Sequence, residues 1–376
     1  MFGDAMAGSG SDQRARRPRV AVVYPIPFGD DGHVGGGERY AQELARALSQ
    51  QVPTRLILFG KQRRCFMMGR LRVEVFPWLI LVSGSRINPF GVGFLRALVS
   101  VDVIHCISWH TLMTDCAIVF AKLTGKRIFV THIGGMGRIS LADRAGMARF
   151  VNGFLLLSQY SMKRFSSYKD KCHVIYGGAT SLPLVTTQAT ESKVLFVGRL
   201  TPHKGVDALI EAIPPTIPLT IVGRVYNHGY YETLQELAVG KRVTFLTDAD
   251  DDLLMHEYSS STLLVHPSVY TWANGGWSDE PELFGLTVVE AMMHGLSVIV
   301  SDVASLPELV EDGKTGIVVP PRDVPALRAA IERLVTDRTL SRQMGLAGYQ
   351  RAQELFTWQA VMRRCLSYYD GGNIGA

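Results

Sequence analysis

The sequence predicts an α/β protein of two doubly wound domains facing each other across a cleft, and three observations carry that prediction. Short β-rich runs alternate with longer helical patterns, as parallel sheets with crossover helices require. The alternation is written twice, once in residues 19–180 and again in residues 193–355. Between the copies, residues 181–192 are rich in Ser and Thr, include a Pro and lack a helical period, so they read as a linker.

In the first half the candidate strands are RVAVVYP (19–25), RLILF (55–59), RVEVF (72–76), DVIHCI (102–107), RIFVTH (127–132), GFLLLS (153–158) and HVIY (173–176). The second half restarts with KVLFVG (193–198) and continues through PLTIVG (218–223), RVTFL (242–246), TLLVHPS (262–268), LSVIVSD (296–302) and TGIVVP (315–320). Amphipathic helices fit between them, for example Glu38–Leu48 and Val206–Ala212. From Phe356 onward no strand remains to be served, so residues 356–376 are expected to form a helix that crosses back onto the first domain. Residues 1–18 lack the apolar stretch of a signal peptide and read as a polar, disordered leader. Ligands of such sheets bind beyond the carboxyl ends of the strands.

The composition narrows the function. With 376 residues, 47% hydrophobic and 19% charged, the chain can fill two cores. It contains no apolar run long enough to span a bilayer as a helix. The five cysteines are scattered without CxxC spacing, which argues against a disulfide framework or a zinc site and fits a reducing cytoplasm. The net charge of +5 conceals a division: residues 1–180 hold 24 Lys and Arg against 11 Asp and Glu, whereas residues 181–376 hold 15 against 23. Halves of +13 and −8 are expected to meet different partners. No nucleic-acid recognition motif accompanies the positive charge.

Three stretches carry candidate chemistry. In VGRLTPHKG a strand ends at Gly198, and Arg199 and Lys204 follow in a loop ahead of a helix. Arg offers a planar fork to phosphate oxygens and Lys a point charge, so the pair suits a diphosphate. Both cations are expected in a cleft loop, where removing either would spare the fold. In ELFGLTVVEAMMHG, Gly285 with Leu286 and Thr287 opens a helix whose free amides attract anions. Were the stretch helical throughout, Glu282 and Glu290 would stand roughly 12 Å apart along its axis. The apolar neighbours of Glu290 make an idle carboxylate there costly. In GGGERYAQELARAL, Gly35 and Gly36 precede a helix and permit close backbone approach to a phosphate.

Taken together, these pieces resemble glycosyltransferase family 4, retaining enzymes of the GT-B fold with two Rossmann-like domains. DVIH, VIYGGAT, LTIVG, LLVHPS and LPELVEDGKTGIVVP extend the resemblance over residues 19 to 357 in the expected order. The resemblance implies that Arg199 and Lys204 bind the diphosphate of a nucleotide-sugar donor, that Glu290 binds its ribose, and that Glu282 contacts the transferred sugar. It implies that amides just after Phe284 hold the distal phosphate, with the Gly35–Gly36 turn approaching from the first domain. Family members often carry a His two residues after that of DVIH; here the position is Ile107, and His110 and His132 are the candidates near the reacting sugar. The segment TWANGGWSDEP (271–281) is longer than usual and is expected to shape sugar selection. The acidic run at 248–252 looks like a metal-binding DxD motif, but directly precedes LLMHEYSSS and reads as a helix start.

The reading is thus a retaining, metal-independent hexosyltransferase that uses a UDP- or GDP-linked sugar and needs no cofactor. A nucleotide-sugar epimerase of the same fold and a non-catalytic sugar-nucleotide-binding protein are the alternatives. The positive first half favours an anionic or lipid-linked acceptor over a soluble small molecule, with cytoplasmic location and peripheral contact at the inner membrane face. The stretch KQRRCFMMGRLRVEVFPWLIL (61–81) mixes cations with Phe, Met and Trp, and its basic part is a candidate for that contact.

Overall fold

The computed structural model describes residues 17–26, 36–84, 88–134, 146–184, 192–273 and 275–370. Gly35, most of the leader and most of the linker lie outside the described residues.

The first sheet has eight strands in the order β10-β9-β8-β7-β1-β2-β4-β3. They are β1 (Val20–Val23), β2 (Thr54–Gly60), β3 (Arg64–Met68), β4 (Leu71–Pro77), β7 (Val103–Ile107), β8 (Arg127–Thr131), β9 (Gly153–Leu156) and β10 (Cys172–Val174). All neighbours run parallel except β3, which pairs antiparallel with β4 at the sheet edge. A small ribbon of β5 (Ile80–Leu81) and β6 (Pro89–Phe90) stands apart.

The second sheet comprises β11 (Val194–Val197), β12 (Leu219–Val222), β13 (Val243–Leu246), β14 (Leu263–His266), β15 (Ser297–Ser301) and β16 (Ile317–Val319). They are wholly parallel in the order β13-β12-β11-β14-β15-β16. That is the doubly wound order in which the strand sequence reverses between the first and fourth strands, here β11 and β14. The crevice at their carboxyl ends is where such sheets take ligands. Strands β11, β14 and β15 are buried along their whole length, which is why they read as continuous apolar runs.

The sequence did not reveal β3. Its residues are exposed or half-buried, so it lacks the apolar signature that marks its neighbours. The hairpin carries Phe66 and Met67 outward, 44% and 60% exposed. Phe66 stands opposite Val73 and Met67 opposite Arg72.

The helix Trp358–Tyr369 lies on the first sheet and against the helix Gly36–Ser49. Trp358 meets the Tyr40 ring at 5.5 Å between centroids, and Tyr368 stacks on His173 at 4.1 Å. Beneath them the Tyr369 hydroxyl and His105 Nδ1 are 2.6 Å apart, while His105 Nε2 sits 2.7 Å from Thr131 Oγ1. Burial drives the His105 pKa down to about 3, so the imidazole is neutral and serves the core rather than the cleft.

Candidate functional site

The loop after β11 and the loop after β14 meet at the switch point of the second sheet. Gly205, with φ +66°, lets them meet: a Cβ there would fall 2.1 Å from the Pro267 carbonyl oxygen. The preceding turn, Pro202–Lys204, therefore carries Lys204 inward, where only 8% of it stays exposed. Its ammonium pairs with the Glu282 carboxylate. His266, at the end of β14, donates from Nε2 to the same carboxylate oxygen at 2.7 Å. Burial pushes His266 down, and Lys204 adds to that, so the ring is neutral. Its Nδ1 is then an acceptor, facing the Thr287 hydroxyl at 3.3 Å. Burial alone would raise Glu282, but Lys204 and His266 outweigh it and hold the carboxyl far below the usual range.

Arg199 points the other way. It is exposed, with its guanidinium 5.6 Å from the centre of the Tyr226 ring. The two cations that the sequence treats as a pair thus have different surroundings. One is free to reach a ligand, and the other is buried on a carboxylate. The expectation that either could be removed without cost to the fold holds for a cleft loop, and Lys204 is not in that position.

The helix over Glu282–Glu290 begins only at Leu286 and ends at Met293. Pro281 precedes the pair, and Gly285 caps the helix at φ +94°, where a Cβ would crowd Leu306 and Leu309 at 2.9 and 3.0 Å. The bend replaces the uniform helical rise, so the roughly 12 Å spacing does not apply. It folds Glu282 back onto Lys204 and His266. The amides of Gly285, Leu286 and Thr287 precede the first helical bond, from Val288 N–H to the Gly285 carbonyl at 3.0 Å. Phe284 packs inward against Phe356, at 5.8 Å between centroids.

Glu290 occupies the second turn of that helix. Burial raises its pKa, offset in part by the Tyr258 hydroxyl, which donates to it at 2.9 Å. Tyr258 stacks on His294 at 4.9 Å. Arg39, from the first domain, pairs with Asp251 at 2.5 Å and also favours the charged form of Glu290. In the acidic run, Asp250 caps the helix Asp251–Ser260 by accepting from Leu253 N–H at 2.8 Å.

Across the cleft the two candidate histidines differ. His110 Nε2 lies 2.9 Å from Arg164 Nη2. Arg can only donate, so His110 is neutral with its proton on Nδ1. His132 is 2% exposed and makes no hydrogen bond from either ring nitrogen among the described residues. It stands at the edge of the His110 ring, 5.7 Å between centroids. Its Nε2 faces Glu280 Oε2 at 3.6 Å. Glu280, reached from the second domain, is also paired with Arg164 at 3.1 Å. Burial opposes its charge, yet His132 and Arg164 hold its pKa down to about 2. Gly36 opens the helix Gly36–Ser49 on the first-domain side.

Two family models match this architecture, one in each half. One, described as Glycosyltransferase Family 4, matches residues 34–180, and the other, Glycosyl transferases group 1, matches residues 185–351. The chain belongs to glycosyltransferase family 4. An uncharacterized glycosyltransferase of Methanocaldococcus jannaschii is 27% identical over 71% of this chain and 75% of its own length. The GDP-mannose-dependent alpha-(1-6)-phosphatidylinositol monomannoside mannosyltransferase of Mycolicibacterium smegmatis is 31% identical, with 47% of each chain covered. The chain thus spans less than half of that relative's length. Anabaena HepE, solved with UDP and glucose, superposes with a TM-score of 0.72 at 19% identity, over 94% of this chain and all of its own. That likeness shows the shared GT-B fold.

Within this glycosyltransferase, Glu280, Arg164, His266 and Tyr258 join the site without having been singled out from the sequence. His266 had a signal, since it stands near the carboxyl end of the run TLLVHPS, on the crevice side of the sheet. Glu280 also had one, as the carboxylate two residues before Glu282. Arg164 and Tyr258 had none.

Proposed function

We propose that this glycosyltransferase moves a hexose from a UDP- or GDP-linked sugar to an acceptor hydroxyl, with retention and without a metal ion. The observation that supports this most is the cluster of Lys204, Glu282, His266 and Thr287 at the switch point, with Arg199 exposed on the same loop as Lys204.

As the glycosidic bond breaks, negative charge gathers on the departing diphosphate. Arg199 meets it with a planar fork and Lys204 with a point charge. The amides that open the helix Leu286–Met293 add the positive end of its dipole. Fixed cations and amides thereby take the part of a divalent ion. As Lys204 turns to the phosphates, Glu282 accepts hydrogen bonds from the sugar hydroxyls. Glu290 accepts from the ribose. His132, its ring nitrogens unengaged, faces the reacting sugar, while His110 is held by Arg164. The leaving phosphate takes the acceptor proton on the same face.

Thermal-shift screening against nucleoside diphosphate sugars tests the donor half, because a ligand at a hundred times its Kd stabilises the folded state by about 2.7 kcal/mol. A donor that raises the melting temperature should then be turned over once acceptors are supplied. Failure of every UDP- and GDP-linked sugar to shift the transition would sink the proposal. Conversion of the donor without an acceptor would favour an epimerase.

For the acceptor we favour a phosphate-bearing or lipid-linked alcohol, with peripheral contact at the inner membrane face. The support is the excess charge of the first half and the β3 hairpin, where exposed Phe66 and Met67 neighbour Arg63 and Arg64. No helix among the described residues is long and apolar enough to cross a membrane. Co-sedimentation with anionic vesicles at low and high salt decides the membrane part, which falls if nothing binds at low salt.

A further inference from the structure

Glu280 is the carboxylate that the mechanism above leaves unused, and it sits where the two domains touch. Its neighbours form a seam. The Tyr160 hydroxyl donates to the Asp279 carbonyl at 2.6 Å, and the amides of Gln159 and Tyr160 both donate to Glu308 at 2.7 Å. Between these contacts the Glu280 carboxylate reaches across to Arg164 at 3.1 Å with one oxygen and towards His132 Nε2 at 3.6 Å with the other. Arg164 uses a second nitrogen on His110 at 2.9 Å. Three groups of the first domain, Arg164 and His132 directly and His110 through Arg164, are therefore tied to one side chain of the second, which lies two residues before Glu282.

The His132 ring needs such a tie. It is buried, and the rings of His110 and Phe165 stand steeply inclined to it at 5.7 and 6.0 Å between centroids. Neither contact chooses between ring nitrogens. A charged carboxylate does, because it accepts only and so selects Nε2–H. The present 3.6 Å becomes a hydrogen bond after a movement of a few tenths of an ångström.

We propose that Glu280 is a positioning residue: delivered by the donor-side domain when the cleft closes, it fixes the orientation and tautomer of His132, with Arg164 holding the carboxylate and locking His110. The inference rests on the transferase reading above, since it gives His132 its place beside the sugar. It makes closure and histidine alignment a single event. Glu282, on the same short segment, is carried in with Glu280.

The test compares Glu280→Gln, Arg164→Lys, Arg164→Met and the Gln/Met double variant in the full chain. Glu280→Gln should lower kcat about 10- to 100-fold, the scale of a misplaced reacting group. It should leave the donor KM and the affinity for free UDP and GDP within about twofold, since the Glu280 carboxylate pairs with Arg164 and His132 and not with Lys204, Arg199 or Glu290 among the described residues. Arg164→Lys should fall between wild type and Arg164→Met, because an ammonium keeps the charge but not the fork. The double variant should cost little more than either single change. The carbon–proton signal of the His132 ring, assigned with His132→Ala, should move in Glu280→Gln while that of His266 stays. Wild-type kcat, an unmoved His132 signal, or additive losses in the double variant would each overturn the inference. So would a loss of nucleoside diphosphate affinity matching the loss of kcat. A wild-type protein that binds no nucleoside diphosphate overturns the transferase reading instead, and the ring signal still decides the role of Glu280.

Discussion

Replacing Lys204 by Met tests the heart of the site, because stability and ligand binding respond in separable ways. The residue is 8% exposed, and its ammonium rests on a Glu282 carboxylate whose side chain is 13% exposed. Breaking such a pair from one side typically costs about 3–5 kcal/mol, since an uncompensated charge remains. Here His266 still donates to that carboxylate at 2.7 Å. That retained hydrogen bond, of a kind worth about 1.5–3 kcal/mol, leaves the carboxylate partly compensated and puts the expected loss at the low end of the range, about 3 kcal/mol. For domains of this size each kcal/mol moves the transition by about 2–4 °C, so a loss near 3 kcal/mol corresponds to roughly 6–12 °C. Lys204→Met with Glu282→Gln strands no charge and should recover at least about 1 kcal/mol relative to the sum of the singles. Thermal denaturation of the four proteins, with and without UDP or GDP, reads both quantities. Added nucleotide should stabilise wild type and Glu282→Gln, but not Lys204→Met. A Lys204→Met protein that melts with wild type, or single losses that simply add in the double, would refute the coupled-pair reasoning.

Arg199→Ala should leave the melting temperature unchanged, because the side chain is exposed beside Tyr226, yet cut turnover roughly 10²–10³-fold. Wild-type turnover would remove it from the diphosphate site. Glu290→Gln should weaken affinity for free nucleoside diphosphate in calorimetry, whereas Glu282→Gln should mainly slow transfer; equal losses of affinity would contradict the division. Activity should survive EDTA, since the acidic run caps a helix and Arg199 and Lys204 are the cations proposed to serve the diphosphate; loss that manganese or magnesium restores would overturn this. His105, whose pKa burial drives down to about 3, should make the fold acid-sensitive. The unfolded chain takes its proton near pH 6.5 and the folded chain near 3, so this contribution is complete above about pH 6.5 and shrinks as pH falls, by up to about 5 kcal/mol. Denaturation at pH 7, 5.5 and 4 should show the decline, and His105→Gln should flatten it; a level wild-type curve would refute the assignment.

The parallel strands were legible because a strand buried on both faces must be apolar throughout, as in VLFV of β11 and SVIVS of β15. Strand β3 was not, because an edge strand facing water has no such constraint. At the site, residue types and local spacing pointed to Arg199, Lys204, Glu282 and Glu290, since each lies beside a glycine turn or helix start visible in the sequence. What escaped was pairing over distance. Lys204 meets a carboxylate 78 residues away, and Glu280 meets an arginine 116 residues away on the other domain. No local pattern encodes such contacts, because they depend on where two loops and two domains end up. The bend at Gly285 belongs with them: its glycine was visible, but the partners to which the bend brings Glu282, Lys204 and His266, were not.

The seating of Tyr369 on His105 has a consequence for how the chain is made. The two residues are separated by 264 positions, and ribosomes add about 5–20 residues per second, so His105 waits roughly 13–53 s for its cover. During that interval the sides of Tyr40, His105 and Phe129 that Trp358 and Tyr369 cover are without those partners. A first domain emerging from the ribosome is thus an unfinished body with a sticky flank, and its maturation is timed by synthesis of the second. Pausing in the later codons would lengthen that vulnerable window, and chaperone demand should scale with it.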